Sequence, residues 1–281
     1  MSKDDKLEKA IETMGLGSGK SFANLFDDFL DTVLAMVCNN PTERQRDLLQ
    51  STLSDEWSKK AFCEALKAYG EAAEGFHDPL GDMFMTRISH GQNGQFFTPE
   101  HICDFMAQIS DPKSETVCDP CCGSGRFLLA TLKVARESGE DPIIYANDLS
   151  YTCAQMCLMN LVFNSAKGEV SCGNSLLMDV ANFRFFRIDR VMMPDGKWFS
   201  TYWQYTLADV EEVDRLRDEW REKMMANGLW VEVVRKKQRP PVTEETDEEP
   251  IAEPVVEAET MIENEHLTAT PKAVQLELEL F

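Results

Sequence analysis

The residues best suited to hold a small ligand cluster in Asp119-Pro120-Cys121-Cys122-Gly123-Ser124-Gly125. Glycines let a backbone pass close to a ligand, and a helix that opens just beyond them offers free N–H groups. The apolar run Thr116-Val117-Cys118 stands before the turn, and residues 126–132 follow with helical spacing. That order reads as strand, Gly-rich turn, helix. Asp148 closes a second apolar run, residues 143–147. An acid at that place in a βαβ unit can accept hydrogen bonds from a ribose hydroxyl pair.

These residues need a frame. The pattern predicts strand 116–119, helix 124–137, strand 143–147, helix 151–164 and strand 169–172. Strands alternating with helices imply parallel pairing. Ligands of such sheets bind outside the carboxyl ends of the strands, so Asp119, Asp148 and Asn174 should converge there. Upstream, residues 3–75 read as helical. Phe22, Leu25, Phe26, Phe29, Val33 and Val37 recur at helical spacing, Pro41 breaks that helix from one starting near Thr42, and a third runs over 55–73. Gly15-Leu16-Gly17-Ser18-Gly19-Lys20-Ser21 imitates a phosphate loop, but Met14 stands where the first Gly belongs and no strand precedes it, so it reads as a turn. Residues 77–99 read as loop, ending in helix 100–110 with Thr98 as its cap and Pro99 as its first residue. Residues 207–228 form a charged helix with Val210, Val213, Leu216 and Trp220 as its apolar stripe.

Gly94-Gln95-Phe96-Phe97-Thr98-Pro99, taken with Asp119-Pro120-x-x-Gly123-Ser124-Gly125, resembles the S-adenosylmethionine (SAM) site of adenine-N6 DNA methyltransferases. It is most similar to the modification subunits of type I restriction systems, which also carry a segment like Asp78-Pro79-Leu80-Gly81-Asp82-Met83-Phe84. The resemblance covers about residues 75–178. It implies an α/β, Rossmann-like SAM-dependent methyltransferase with a parallel sheet. An N-terminal helical region (1–76) precedes the methyltransferase-like part (77–242), and an acidic disordered tail (243–281) follows. It implies that Thr98 and Pro99 lie against the methionine part of SAM with Phe96 or Phe97 nearby. Asp119 would orient the amino group or the loop, and Pro120, Cys121, Gly123, Ser124 and Gly125 would form the cofactor turn. Asp148 would take the ribose, and Asn174 would lie near adenine.

The same family carries Asn/Asp-Pro-Pro-Tyr/Phe after its fourth strand, where a polar side chain and a carbonyl hold the adenine amino group and an aromatic stacks on the flipped base. This sequence has no such motif; Met193-Pro194-Asp195 is nearest by position and lacks the acceptor. The expected activity is adenine-specific methylation of DNA in a restriction-modification setting, alone or through a specificity partner. The alternative is a degenerate SAM-binding module that regulates or recruits. A third reading methylates another substrate near Asp189 or Asp195.

A net charge of −21 disfavours broad contact with phosphate, and residues 244–281 contribute −11 of it. The nine cysteines are scattered, and those in the tight turn read as small packed residues rather than metal ligands, so no metal is expected. No apolar stretch reads as a membrane span or signal peptide, so a cytoplasmic location is expected. The terminal Gln275-Leu276-Glu277-Leu278-Glu279-Leu280-Phe281 resembles peptides that bind bacterial DNA sliding clamps, with Gln275, Leu278, Leu280 and Phe281 as anchors. Its alternating leucines equally suit a strand docked on the chain's own fold.

Overall fold

A computed structural model describes residues 2–89, 96–110, 115–177, 180–193 and 195–229. The expected tail, its clamp-like residues Gln275, Leu278, Leu280 and Phe281, and Pro194 lie outside the described residues.

Four helices come first: α1 (Lys3–Met14), α2 (Phe22–Val37), α3 (Glu43–Leu53) and α4 (Glu56–Ala72). Each starts on a side chain that accepts backbone amides: Ser2, Ser21, Thr42 and Asp55. Ser2 and Thr42 are completed as reciprocal caps by Asp5 and Gln45. The phosphate-loop look-alike is the turn before α2, with Gly17 and Gly19 at positive φ. Helix α2 keeps Asp27, Asp28 and Asp31 on one side and buries a broad apolar face against its neighbours: α1 and α3 on its own layer, α8 (Tyr151–Phe163) from the sheet. Leu7, Phe26, Phe29, Phe62 and Tyr69 join Leu128, Ile144, Met156 and Tyr202 in one buried cluster.

The sheet has five strands in the order β1 (Thr116–Asp119), β2 (Ile143–Asp148), β3 (Lys167–Cys172), β4 (Arg184–Met192), β5 (Trp198–Tyr205). Strands β1 to β3 are parallel, joined by α7 (Arg126–Glu137) and α8. The parallel pairing expected through the 169–172 strand is present, and beyond β3 the sheet is mixed. Strands β4 and β5 run antiparallel. The described residues between β3 and β4 form no crossover helix, and a parallel return needs one. Met193 N donates to Lys197 O at the end of a hairpin in which Phe186, Ile188 and Tyr202 point to the core. Helix α9 (Val210–Ala226) covers this end, packing Val210, Val213, Leu216 and Trp220 on Trp203 and Tyr205, as its stripe predicts.

The two edges of the sheet differ. The chain leaving α2 lies along β5: Asn39 N donates to Tyr202 O at 2.9 Å, and Asn40 exchanges hydrogen bonds with Gln204. At the other edge β1 pairs with β2 and with no other strand among the described residues.

Residues 77–89 correct an expectation. Of the described residues in 77–99, only 77–78 and 96–99 are loop; between them Pro79–Met83 form a short helix, α5, running into a π-helical turn, Phe84–Ser89. Helix α6 (Glu100–Ile109) then packs on α7 through Cys103 and Ala107. Pro99, not Thr98, is its cap residue, and no side chain caps it.

Candidate functional site

The carboxyl ends of β1, β2 and β3 are stitched into one surface. Cys122 N donates to Asn147 O at 2.8 Å, and Gly173 N to Asp148 O at 3.0 Å. The buried Asn147 amide reaches both sides, donating to Pro120 O at 3.2 Å and Gly173 O at 3.1 Å. Its oxygen accepts from Ser171 Oγ at 2.9 Å. Asp119, Asp148 and Asn174 therefore meet, as strand-end positions should. Asn147 was passed over in the sequence because a polar residue late in an apolar run reads as a strand end.

The turn has the geometry its glycines suggest. Gly123 and Gly125 sit at φ +56 and +86, a region that other residues enter only at a cost. A Cβ at Gly123 would lie 3.0 Å from the Phe97 ring, and one at Gly125 would lie 2.8 Å from Cys157 Sγ. The turn is thus pressed between Phe97 and α8, and Phe97 is itself stacked on Phe84 at 5.7 Å. Phe96 faces solvent, 75 % exposed.

Asp119 Oδ1 accepts from Cys121 N at 3.0 Å. Burial, with the Asp148 charge adding to it, pushes the Asp119 carboxyl above the ordinary range, against the pull of that amide. Asp148 is committed to backbone, with Oδ2 on Gly123 N at 2.9 Å and Oδ1 on Ser150 N at 2.8 Å. Each oxygen keeps a second lone pair for a hydroxyl. Asn174 Oδ1 turns into its own loop, accepting from Leu176 N and Leu177 N. Cys118 and Cys121 are exposed, while Cys122, Cys153 and Cys157 are buried.

Ser124 does not face the ligand side. It is buried, and its hydroxyl donates to Asp78, a residue that sequence reading left without a role. Asp78 is fully buried and anchors the turn from beneath. Its Oδ1 accepts from Gly81 N at 3.0 Å and Asn160 Nδ2 at 2.8 Å, and its Oδ2 also accepts from Arg126 Nε at 3.1 Å. Asn160 donates on to Ser124 O at 2.9 Å and accepts from Tyr69 OH at 2.9 Å. Gly81 has to be glycine here, since a Cβ would fall 2.0 Å from Asp78 Oδ2.

The other two candidate positions lie elsewhere. Strand β4 runs antiparallel, so Met193 and Asp195, in the turn after it, stand at the opposite end of the sheet from Asp119. Asp189 is buried in a two-toothed ion pair with Arg217. Neither belongs to this surface.

A parallel βαβαβ unit with a Gly-rich turn and two strand-end acids is the nucleoside-binding half of a methyltransferase-type α/β fold. Residues 78–240 match the family described as N-6 DNA Methylase, and the chain belongs to that family. The type I restriction enzyme MpnII methylase subunit of Mycoplasma pneumoniae is 30% identical over 194 residues, covering 66% of this chain and 32% of that protein. The type I restriction enzyme MjaIX methylase subunit of Methanocaldococcus jannaschii is 21% identical over 162 residues, covering 53% and 29%. A Listeria monocytogenes crystal structure described as a class I S-adenosylmethionine-dependent methyltransferase aligns with TM-score 0.42 and 16% identity over 60% of this chain and 51% of that one. The chain spans about a third of the length of the curated relatives it matches, 32% and 29% in the first two.

The cofactor of this family is SAM, and the surface suits it. The glycine turn brings backbone to a ligand, Asp148 retains lone pairs for a ribose, and a cationic ligand would relieve the repulsion between Asp119 and Asp148. No helix among the described residues is long and apolar enough to cross a membrane.

Proposed function

We propose that this chain binds SAM across the carboxyl ends of β1, β2 and β3 and serves adenine-N6 methylation of DNA in a cytoplasmic restriction-modification system. The convergence of the 119–125 turn, Asp148 and the Gly173-Asn174 loop, stitched by Asn147, carries this reading. Asp148 takes the ribose, Asp119 with the Cys121–Gly125 turn holds the amino-acid end, and Phe96, Thr98, Pro99 and Asn174 bound the rest. The relatives are methylase subunits of type I restriction enzymes, which supports DNA as substrate and a specificity subunit as partner. Bound SAM supplies an electrophilic methyl; this chain's residues bind and orient it.

The Asn/Asp-Pro-Pro-aromatic motif is absent from the sequence, and Met193 and Asp195 lie at the wrong end of the sheet. That favours as second reading a SAM-binding module that does not hold the target base itself. Gln275, Leu278, Leu280 and Phe281 would recruit it to a DNA sliding clamp, a role supported by the terminal sequence alone. Calorimetric titration of SAM, with tritiated-methyl transfer to adenine-containing DNA, separates the readings. Micromolar binding with transfer by the chain supports the enzyme, binding without transfer supports the module, and no binding refutes both. A 270–281 peptide that fails to bind a bacterial clamp removes the clamp.

A further inference from the structure

Helix α1 divides its charges between two faces. Asp4, Glu8 and Glu12 recur every four residues and share one side, where His77 meets Asp4 and Arg87 holds Glu8 and Glu12. Lys6 and Lys9 stand on another side, beside Ala10. Helix α4 packs along α1 and presents Trp57, Lys60 and Ala61 at the same i, i+3, i+4 spacing. The two sets of side chains enclose a groove of about 490 Å³.

Floor and rim differ in kind. Ala10 and Ala61 keep the floor apolar, and the Trp57 ring stands at one end, 48 % exposed. Lys6, Lys9 and Lys60 are exposed and pair with no acid among the described residues. Glu64 is the one acid of the lining. The groove is therefore positive on a chain whose net charge is −21.

We infer that this groove binds an acidic segment of the same chain, Leu278-Glu279-Leu280-Phe281, which lies outside the described residues. Charge complementarity selects it. Residues 244–281 carry 12 acids against one lysine, and Glu277 and Glu279 alternate there with Leu276, Leu278 and Leu280. In an extended segment the leucines share one face and the acids the other. The leucines suit the alanine floor, and the lysine stems carry their ammonium groups to the rim, where the acids would stand. Size agrees as well. Two turns of α1 span about 11 Å, the length of three or four extended residues. A chain as long as residues 230–277 spans roughly 35–40 Å, enough to reach any face of a domain this size. Tethering sets an effective concentration on the order of a millimolar, so a site of weak intrinsic affinity is filled. DNA phosphate suits the groove less, because it has no use for an apolar floor and is repelled by Glu64. The inference rests on neither the SAM nor the clamp reading. Its consequence is competition: any partner that takes Leu280 and Phe281 must first displace them from α1 and α4.

The test uses the full chain carrying Phe281→p-benzoylphenylalanine, irradiated and mapped by mass spectrometry. Mixing with an isotope-labelled copy separates links within a chain from links between chains. The expected result is links within one chain to residues 6–13 and 57–64. Lys9→Glu/Lys60→Glu should reduce them by roughly fivefold or more, the worth of two exposed ion pairs. Adding Glu277→Lys/Glu279→Lys to that variant should restore them. Lys9→Gln/Lys60→Gln adds no acid and should also reduce the links while leaving Tm unchanged, which separates lost docking from lost fold. Links elsewhere on the fold, links only between chains, no links, or links indifferent to both lysine variants each overturn the inference. Fluorescence anisotropy with a DNA duplex gives the rival occupant its outcome: an unlinked groove whose Lys9→Gln/Lys60→Gln variant binds duplex more weakly assigns these lysines to phosphate instead.

Discussion

Replacing Asp78 tests whether the cofactor turn is held from beneath. Four donors converge on its carboxylate: Gly81 N, Asn160 Nδ2, Ser124 Oγ and Arg126 Nε. Asp78→Ala strands the Arg126 guanidinium, whose side chain is only 11% exposed and keeps Asp82 as its remaining acid. Breaking a buried pair of this kind costs about 3–5 kcal/mol, and the lost cap at α5 is part of the same network rather than a separate sum. At about 2–4 °C per kcal/mol for a chain of this size, Tm should fall by roughly 6–20 °C. Asp78→Asn keeps an acceptor for Gly81 and Asn160 but cannot neutralise Arg126, so it should lie between. SAM affinity should fall at least tenfold in the alanine variant, measured by calorimetry at a temperature where thermal scans find it folded. An Asp78→Ala protein whose Tm lies within about 2 °C of the parent, with unchanged SAM affinity, would refute the anchoring argument.

Asp119→Ala should weaken SAM binding at least tenfold without lowering Tm, because the charged form is already disfavoured in the fold. The same raised pKa sets a pH dependence. As pH falls, Asp119 takes a proton before ordinary carboxylates do, so affinity present at neutral pH should fade first through its titration, and calorimetry against pH should lose that step in the variant. Burial pulls the His77 pKa down, but Glu100, Asp4 and Asp82 outweigh it and leave it raised. The stabilisation from protonated His77 is therefore complete below the ordinary histidine pKa and lost as pH rises through the raised value. Tm should decline over that window in the parent and less steeply in His77→Gln. Asn147→Ala removes the stitch between the β1 and β3 loops; it should cost about 1–3 kcal/mol by chemical denaturation and weaken SAM binding as well. Unchanged affinity in that variant would mean the loops keep their spacing without it.

The geometry of the candidate site was legible where it rests on backbone and strand position. Gly123, Gly125 and Asp148 announce themselves because a turn at positive φ and a strand end leave marks in local sequence. The direction of the Ser124 hydroxyl could not be read for the opposite reason: its partner, Asp78, lies 46 residues upstream, and nothing local says which way a hydroxyl points. The cap of α6 shifted from Thr98 to Pro99 by a single residue, the usual reach of tertiary packing on a helix end. The β4–β5 hairpin had a readable signal: two apolar-aromatic runs flank Pro194-Asp195-Gly196. That β1 stands last among the described strands could not be read at all, since no local pattern records which strand stands last.

The seam between α2 and β5 also sets an order of events during synthesis. Asn40 bonds to Gln204 across 164 residues of sequence. At about 5–20 residues per second, a ribosome needs roughly 8–30 s to make the strand that α2 waits for. Through that interval the broad apolar face of α2 must be shielded by its neighbours α1, α3 and α4 or by a chaperone. Contacts of such long range also slow the search once the chain is free. Slow synthesis or substitutions that loosen the first four helices should therefore show first as aggregation of nascent chains, before any loss of stability in the finished fold.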